Sequence, residues 1–222
     1  VKEPTPIEEV ASYKPEKSWN YEVGAHLSTP SHKVQADLAL FYIDCRDQQL
    51  TVFPEGQVTG RLMTNAGRTR SFGGEASLLA TLWRNLDLQV AYGYTRATFV
   101  KFDTGKADYA GNFIPYAPQH TLYAGASYTL RTGWNWLEYV IFRVAANGAG
   151  RIYWNEANTF SQPFYALLEA SIRFEHRHWA VDVWGRNLTD TRYDTFYFMS
   201  IGNSFLQRSR PRTFGVSLSI TL

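Results

Sequence analysis

The sequence of 222 residues contains a single cysteine, Cys45, and no long apolar run. One cysteine excludes an internal disulfide and a metal site built from several cysteine ligands, and it agrees with export to an oxidising compartment. No stretch reaches the roughly 18 apolar residues that a membrane-spanning helix requires. The first residues are rich in Pro and Glu and lack the basic-then-apolar pattern of an export signal, so we expect the chain to start after any such signal.

Neither sign of charge dominates the sequence, which has 22 Lys and Arg against 20 Asp and Glu. Nucleic-acid-binding domains concentrate basic residues on one surface, so we expect no nucleic-acid partner. The P-loop, HExxH and Gly-x-Ser-x-Gly motifs are absent, so the sequence predicts no enzyme, no catalytic residue and no cofactor. His176 and His178 flank Arg177, but two histidines without further ligands are typical of a solvated turn, and we predict no metal site.

The apolar residues that are present alternate with polar or small residues, which is the period of a β-strand. Tyr, Phe and Trp make up 16% of the chain and follow this alternation. It divides the chain into about nine segments, approximately 19–28, 34–42, 75–82, 88–95, 121–128, 134–144, 166–174, 181–186 and 214–222. The segment 134–144 is the least regular, and the last one alternates throughout. An all-β protein is therefore predicted.

The predicted connections alternate between short and long. Four tight turns are expected, at 30–33, 84–87, 131–133 and 175–178, and the long connections between them include 54–60, 103–112, 147–163 and 200–211. Bacterial outer-membrane barrels have short periplasmic turns and longer extracellular loops. The pattern therefore favours a transmembrane antiparallel up-and-down β-barrel with all four tight turns on the periplasmic side. A soluble β-sandwich, such as a carbohydrate-binding module, also has alternating strands but does not predict the alternation of connection lengths.

Tryptophan residues lie close to the predicted tight turns. Because amphipathic rings prefer the headgroup level of a bilayer, we expect a periplasmic girdle formed by Trp83, Trp134, Trp136 and Trp179. Nine strands is an odd number, whereas single-chain bacterial barrels close with an even one. Either further strands precede Val1, or the chain is a complete barrel of about ten strands in which one strand has been missed.

Three sequence runs resemble TonB-dependent outer-membrane receptors. They are YKPEKSWNYEVG at 13–24, GRNLTDTRYDTFYF at 185–198 and RPRTFGVSLSITL at 210–222, and they occur in the order found in that family. The ending also resembles the signal read by the barrel-assembly machinery, with matching positions Thr213, Gly215, Leu218 and Ile220 and with Leu222 in place of the usual terminal aromatic. Ser209 stands where the family often has glycine.

The resemblance implies that residues 1–222 are the C-terminal part of a barrel of about 22 strands in the bacterial outer membrane. The plug domain and the earlier strands would lie upstream of this part. The implied partners are the TonB complex, reached through the plug, the barrel-assembly machinery, outer-membrane lipid and a scarce nutrient. A ferric siderophore is the first expectation for this nutrient, with cobalamin, haem and oligosaccharide as alternatives. A complete small porin or barrel enzyme is the rival interpretation.

Ligand contacts within this chain are expected in the long connections and on the polar, lumenal face. The densest candidate cluster is Arg151, Tyr153, Trp154 and Asn155, and a second consists of Asp108 and Tyr109. For both clusters, a girdle or a solvated loop is the alternative interpretation. The charges expected on the lumenal face, in cross-strand pairs or against the plug, are Glu22, Asp37, Glu75, Glu169, Arg173, Asp182 and Arg186. Asn187 and Asp190 are expected to bond local backbone rather than to mark a glycosylation site.

Overall fold

A computed structural model describes residues 14–52, 62–65, 67–83, 85–105, 107–200 and 203–221. These ranges contain fifteen strands: β1 (Lys17–Ser28), β2 (Val34–Arg46), β3 (Gln49–Val52), β4 (Leu62–Asn65), β5 (Arg68–Leu82), β6 (Leu86–Lys101), β7 (His120–Trp134), β8 (Leu137–Gly150), β9 (Ile152–Tyr153), β10 (Ser161–Gln162), β11 (Tyr165–His176), β12 (Trp179–Arg186), β13 (Asp194–Ser200), β14 (Asn203–Arg208) and β15 (Thr213–Ile220). Within the described ranges, no helix is long and apolar enough to cross a membrane.

Nine of the strands form one antiparallel sheet in the order β1-β2-β5-β6-β7-β8-β11-β12-β15. Each long strand pairs with the long strands before and after it in the chain, so the sheet is an up-and-down meander with β1 and β15 at its edges. These nine strands correspond to the nine predicted segments, which are confirmed. The remaining strands pair as small hairpins, β3 with β4, β9 with β10 and β13 with β14.

The connections between the nine strands alternate as predicted. One end of the sheet has the tight turns 29–33, 83–85, 135–136 and 177–178, and the other has the long connections 47–67, 102–119, 151–164 and 187–212. The third tight turn was predicted at 131–133, which is wrong. Gly133, at φ 77°, lies instead at a bulge inside the end of β7, and the chain reverses after Trp134. The predicted long connection at 54–60 lies outside the described residues.

The two faces of the sheet differ in character because side chains alternate along each strand. One face, here called the apolar face, carries cross-strand rows of large apolar residues such as Tyr128, Phe142, Ile172, Val183 and Val216. All five remain exposed to the surroundings. The next row, on the other face, contains Ser127, Arg143, Ser171 and Trp184. An exposed apolar face of this extent is expected where a sheet contacts lipid.

The most deeply buried side chains lie at the end of the sheet that carries the long connections. Phe99 is 1% exposed and packs against Phe102, with Tyr109 and Ile114 at the edge of this cluster. The amide of Phe99 donates to the carbonyl of Asn112 at 2.9 Å, so the connection 102–119 folds back along the end of β6. The fold therefore holds its long connections against the sheet rather than leaving them extended.

Candidate ligand-binding site at the end with the long connections

The connections 102–119 and 151–164 are joined by the side chain of Asn158. Its Oδ1 accepts the amide of Phe113 at 2.7 Å, and its Nδ2 donates to the carbonyls of Phe113 at 2.9 Å and Asn155 at 3.0 Å. Asn158 lies at φ 56°, a left-handed conformation that asparagine tolerates better than most residues. A second link runs from Nδ2 of Asn112 to the carbonyl of Glu156 at 2.9 Å. The two connections thus form one hydrogen-bonded body.

Tyr116 connects this body to the β13–β14 hairpin. Its hydroxyl donates to the carbonyl of Tyr197 at 2.9 Å, and its ring lies 5.7 Å from that of Phe196 and 5.4 Å from that of Trp154, measured between centroids. Phe160 stacks on Tyr197 at 4.6 Å. Aromatic pairs at these separations add stabilisation to their burial. Three of the long connections therefore meet at an aromatic junction.

Of the first predicted ligand cluster, three members are used within this body. Trp154 is 8% exposed, Tyr153 stacks on Phe113 at 5.3 Å, and Asn155 accepts the amide of Thr159 at 3.0 Å. Arg151 presents an exposed side chain, while its carbonyl accepts the amide of Gln119 at 3.0 Å. Nε1 of Trp154 is buried and has no hydrogen-bond partner among the residues that the structure describes. Ligand contact by this cluster remains a prediction.

The second predicted cluster is divided between solvent and the protein interior. Asp108 is exposed, and its Oδ1 accepts the amide of Ala110 at 2.9 Å. The ring of Tyr109 lies 5.5 Å from that of Phe102 and covers the edge of the Phe99 cluster. Asp108 therefore stabilises the loop through a hydrogen bond, and Tyr109 packs against the Phe99 cluster. Contact of either residue with a ligand also remains a prediction.

Sequence reasoning did not identify the cavity on the polar face below the β13–β14 hairpin, which has a volume of about 730 Å³. Its lining includes Glu169, Tyr193, Phe196, Arg186, Arg208 and Arg210. Three guanidinium groups against one carboxylate give this cavity a positive charge. Arg208 and Arg210 are two positions apart, which was the available signal that they share a face, whereas Arg212 continues that spacing but does not line the cavity and donates to the carbonyl of Leu188 at 3.3 Å.

Trp184 forms the floor between this cavity and a second one nearer the tight turns. The guanidinium carbon of Arg186 lies 4.8 Å above the centroid of the Trp184 ring. Nε1 of Trp184 donates to Oγ of Ser217 at 3.2 Å. Both cavities are lined by Trp184, Arg186 and Glu169. The second, of about 540 Å³, also contains Asp182, whose buried Oδ1 has no hydrogen-bond partner within the described part of the chain.

The predicted lumenal charges lie on the polar face but pair less often across strands than expected. Asp37 does so, accepting from Nδ1 of His26 at 2.6 Å and from Oγ of Ser77 at 3.0 Å. Arg173 instead donates to Glu175, two residues along its own strand, at 2.8 Å, although Asp182 lies opposite it. The polar face therefore retains charged groups that are available to other molecules.

Burial perturbs one carboxyl group at this end of the molecule. Removal from water raises the pKa of Glu156, in the connection 151–164, above its usual value of 4.5. Its backbone carbonyl meanwhile accepts the bond from Asn112. Glu156 therefore lies in the segment that joins the two long connections, with its carboxyl group partly removed from water.

The remaining predicted residues lie at the opposite end of the sheet or along its last strand. Trp83, Trp134, Trp136 and Trp179 all flank or occupy tight turns, and Trp134 stacks on Trp136 at 5.3 Å. In β15, Thr213 pairs with Arg186, Gly215 with Trp184, Leu218 with Val181 and Ile220 with Trp179, whereas Leu222 lies outside the described residues. Their roles as a girdle and as an assembly signal remain predictions.

Comparison with known proteins places this architecture in a family. Residues 5–188 match the family model described as TonB dependent receptor-like, beta-barrel. The pesticin receptor of Yersinia pestis is 28% identical over 211 residues, which cover 92% of this chain and 29% of that protein. The crystal structure of the ferric yersiniabactin uptake receptor FyuA from Yersinia pestis matches with a TM-score of 0.77 and 25% identity, over 92% of this chain and 30% of that one.

A second solved structure has the same fold at lower identity. The ferric preacinetobactin receptor BauA from Acinetobacter baumannii matches with a TM-score of 0.69 and 19% identity, covering 93% of this chain and 30% of that one. The chain therefore spans roughly 30% of the length of the relatives that it matches. The expected all-β fold and outer-membrane location agree with these matches, and the matched proteins are receptors rather than enzymes. The chain belongs to the TonB-dependent receptor-like β-barrel family of the bacterial outer membrane.

Proposed function

We propose that the whole protein is a TonB-dependent receptor that takes up a ferric siderophore or a similar iron complex. Residues 1–222 form the C-terminal part of its barrel, while the plug domain and the remaining strands belong to the rest of the protein. The observation that carries this proposal is the match to the ferric yersiniabactin uptake receptor over 92% of the chain. The family assignment adds the TonB complex as the partner that supplies energy.

The ligand enters at the end of the sheet that carries the long connections and passes the cavity lined by Arg186, Arg208 and Arg210. Guanidinium groups bind carboxylate and similar oxygen anions through paired hydrogen bonds, so the cavity favours a negatively charged chelate. Tyr193 and Phe196 supply aromatic surface in the same cavity. Arg151, with its exposed side chain, is the member of the predicted clusters best placed to add a contact.

Two further partners belong to the proposal. Thr213, Gly215, Leu218, Ile220 and Leu222 present the signal that the barrel-assembly machinery reads as the last strand is inserted. The apolar face of the sheet contacts outer-membrane lipid, with Trp83, Trp134, Trp136 and Trp179 at the periplasmic interface. Both roles follow from the resemblance of the ending to that signal and from the exposed apolar rows.

Growth and uptake assays on a strain lacking the full-length gene test this proposal. The strain is tested with a panel of radiolabelled iron and vitamin sources. We expect complementation to restore TonB-dependent uptake of one of the ferric chelates in that panel. The double variant R208A/R210A should bind that chelate about 10-fold or more weakly, because two charge-assisted hydrogen-bonding groups are lost. The control R177A removes a charge from a tight turn and should bind normally. Restored uptake of cobalamin alone, or uptake that does not need TonB, would overturn the proposal.

A further inference from the structure

Basic residues lie directly opposite one another on four adjacent strands at the end of the sheet that carries the long connections. Lys17 of β1 pairs with Arg46 of β2, Arg46 with Arg68 of β5, and Arg68 with Lys101 of β6. All four are exposed. Opposed residues in an antiparallel pair have Cα atoms about 4.5–5.5 Å apart, and like charges at that spacing repel one another. The row is therefore a favourable place for anions to bind.

The protein itself supplies little of that balance. Arg68 forms a two-point ion pair with Asp44, with Nε and Nη2 donating at 2.7 and 3.0 Å. Arg70, which lies opposite Asp44, adds a further positive charge to this group. Within the described ranges, no ion pair involves Lys17, Arg46 or Arg70. Glu16, the residue immediately before β1, accepts the amide of Gln49 at 3.1 Å.

The rows that follow on the apolar face change in the order expected of a bilayer. Next to the basic row come Trp19, Asp44 and Arg70, then Tyr21, Tyr42 and Phe72, then Val23, Leu40 and Gly74, and then Ala25, Leu38 and Ala76. Cations are thus followed by aromatic rings and then by aliphatic side chains. Aromatic girdles mark the interface of outer-membrane barrels, so the basic row lies at the level of the lipid headgroups.

We infer that the basic row Lys17, Arg46, Arg68 and Lys101, together with Arg70 and called the basic rim, forms a binding site for the phosphate groups of an anionic lipid in the outer leaflet. Arginine binds phosphate through two parallel hydrogen bonds, and lysine acts as a point charge beside it. Because the rim continues the lipid-facing surface, a bound lipid can place its acyl chains on Leu40 and Val23 while its phosphates lie on the rim. A soluble anion would contact only the basic rim and would gain nothing from the apolar side chains.

Native mass spectrometry of the full-length receptor in detergent tests this inference with bisphosphorylated lipid A as the probe. The variant K17Q/R46Q/R70Q leaves the Arg68–Asp44 pair in place, and we expect it to bind the probe about 10-fold or more weakly. The control K33Q/R131Q/R177Q removes three charges near the tight turns and should bind as the unchanged protein does. Heat-modifiable migration in gels shows whether each variant is folded.

Four results would overturn the inference: equal binding by the rim variant, an equal loss in the control, equal binding of dephosphorylated lipid A, or displacement of the probe by millimolar inorganic phosphate. The last would indicate a site for free phosphate rather than for lipid. Uptake of the ferric chelate should be unchanged in the rim variant. The lipid site and the proposed transport function can therefore fail independently.

Discussion

Asn187 shows how single polar side chains stabilise the end of the sheet that carries the long connections, here called the outer end. It directly follows the last residue of β12, has a φ of 50° and is 7% exposed. Its Nδ2 donates to the carbonyls of Thr191 at 3.0 Å and Arg210 at 3.1 Å. Its Oδ1 accepts the amide of Thr191 at 2.9 Å. Asp190 adds a bond from the amide of Arg212 at 2.9 Å. The expectation of bonds to local backbone is confirmed for Asn187 through Thr191, whereas Asp190 bonds the backbone of Arg212, 22 residues further along the chain. Together the two residues fasten both ends of the connection 187–212.

Asn187→Ala should lower the free energy of unfolding by about 1–3 kcal/mol, because buried backbone groups lose their partners. The connection 187–212 should also be cleaved more rapidly by added protease. Thr189→Ala is the matched control, since Thr189 is exposed and bonds only the hydroxyl of Thr191. Equal stability of the two variants in denaturant titrations would show that the bonds of Asn187 contribute little.

Glu156 makes the stability of the outer end depend on pH. Its pKa is raised in the folded state, so folding favours the protonated form between pH 4.5 and the higher folded value. The contribution of Glu156 to stability is therefore fully present below pH 4.5 and is lost as the pH rises through that window. Thermal unfolding of the receptor should show a steeper decline above pH 4.5 than unfolding of Glu156→Gln, which has no charge to bury. Parallel curves for the two proteins would contradict this assignment.

Adjacent strands pack closely where a small residue on one strand lies against a large side chain on the next. In the β12–β15 pair, Gly215 lies under the ring of Trp184, and a Cβ atom at position 215 would overlap that ring. The contact between the last two strands of the sheet therefore requires glycine at this position. This gives Gly215 a packing role in addition to its place in the predicted assembly signal.

Gly215→Val should displace Trp184 and destabilise the β12–β15 pair by about 1–3 kcal/mol. Heat-modifiable migration should then be lost at a lower temperature than in the unchanged receptor. Adding Trp184→Ala removes the obstruction, so the double variant should recover part of that loss. If Trp184→Ala gives no rescue, position 215 acts through the assembly machinery rather than through packing.

The hairpins and loops at the outer end act as one unit because side chains cross-link them. Asn158→Ala removes the three bonds described above and should free the connections 102–119 and 151–164 from each other. Hydrogen exchange at the amide of Phe113 should rise, whereas the amides paired in β7 and β8 should be unaffected. Ala157→Ser, which changes a neighbouring exposed side chain, serves as the control. Unchanged exchange at Phe113 would contradict the role of Asn158.

The nine strands of the sheet could be predicted because the alternation that defines them is local and extends over many residues. The hairpins β3–β4, β9–β10 and β13–β14 could not be predicted, because their strands have only two to seven residues and such short segments give no clear pattern. The predicted start of the connection 147–163 was too early, because β8 continues through small residues to Gly150. Connection 200–211 contains β14, which the prediction treated as loop.

The candidate site was harder to predict than the fold. Tyr153, Trp154 and Asn155 looked like ligand contacts because polar and aromatic residues lie together there, yet the structure uses their side chains to join neighbouring segments. The arginine cavity brings together Arg186 and Arg208 from separate segments, and their proximity depends on how the connection 187–212 folds back. Contacts of that kind have no periodic signal in the sequence.

At the scale of the whole molecule, the sheet separates two environments and two ends. Its apolar face is suited to lipid, its polar face lines cavities that contain arginine and carboxylate groups, and its long connections gather at one end. The family assignment makes this sheet part of the wall of an outer-membrane barrel. Alternate residues of each long strand therefore face lipid and the lumen.

A nitroxide scan along β5 tests that claim most directly. Cysteines introduced one at a time at residues 75–81 of the full-length receptor, with Cys45→Ser as background, are spin-labelled in liposomes, and their collision rates with oxygen and with a polar nickel chelate are measured. We expect a two-residue period, with oxygen favoured at Ala76, Leu78 and Ala80 and the chelate favoured at Glu75, Ser77 and Thr81. A uniform profile, or one with the opposite phase, would contradict it.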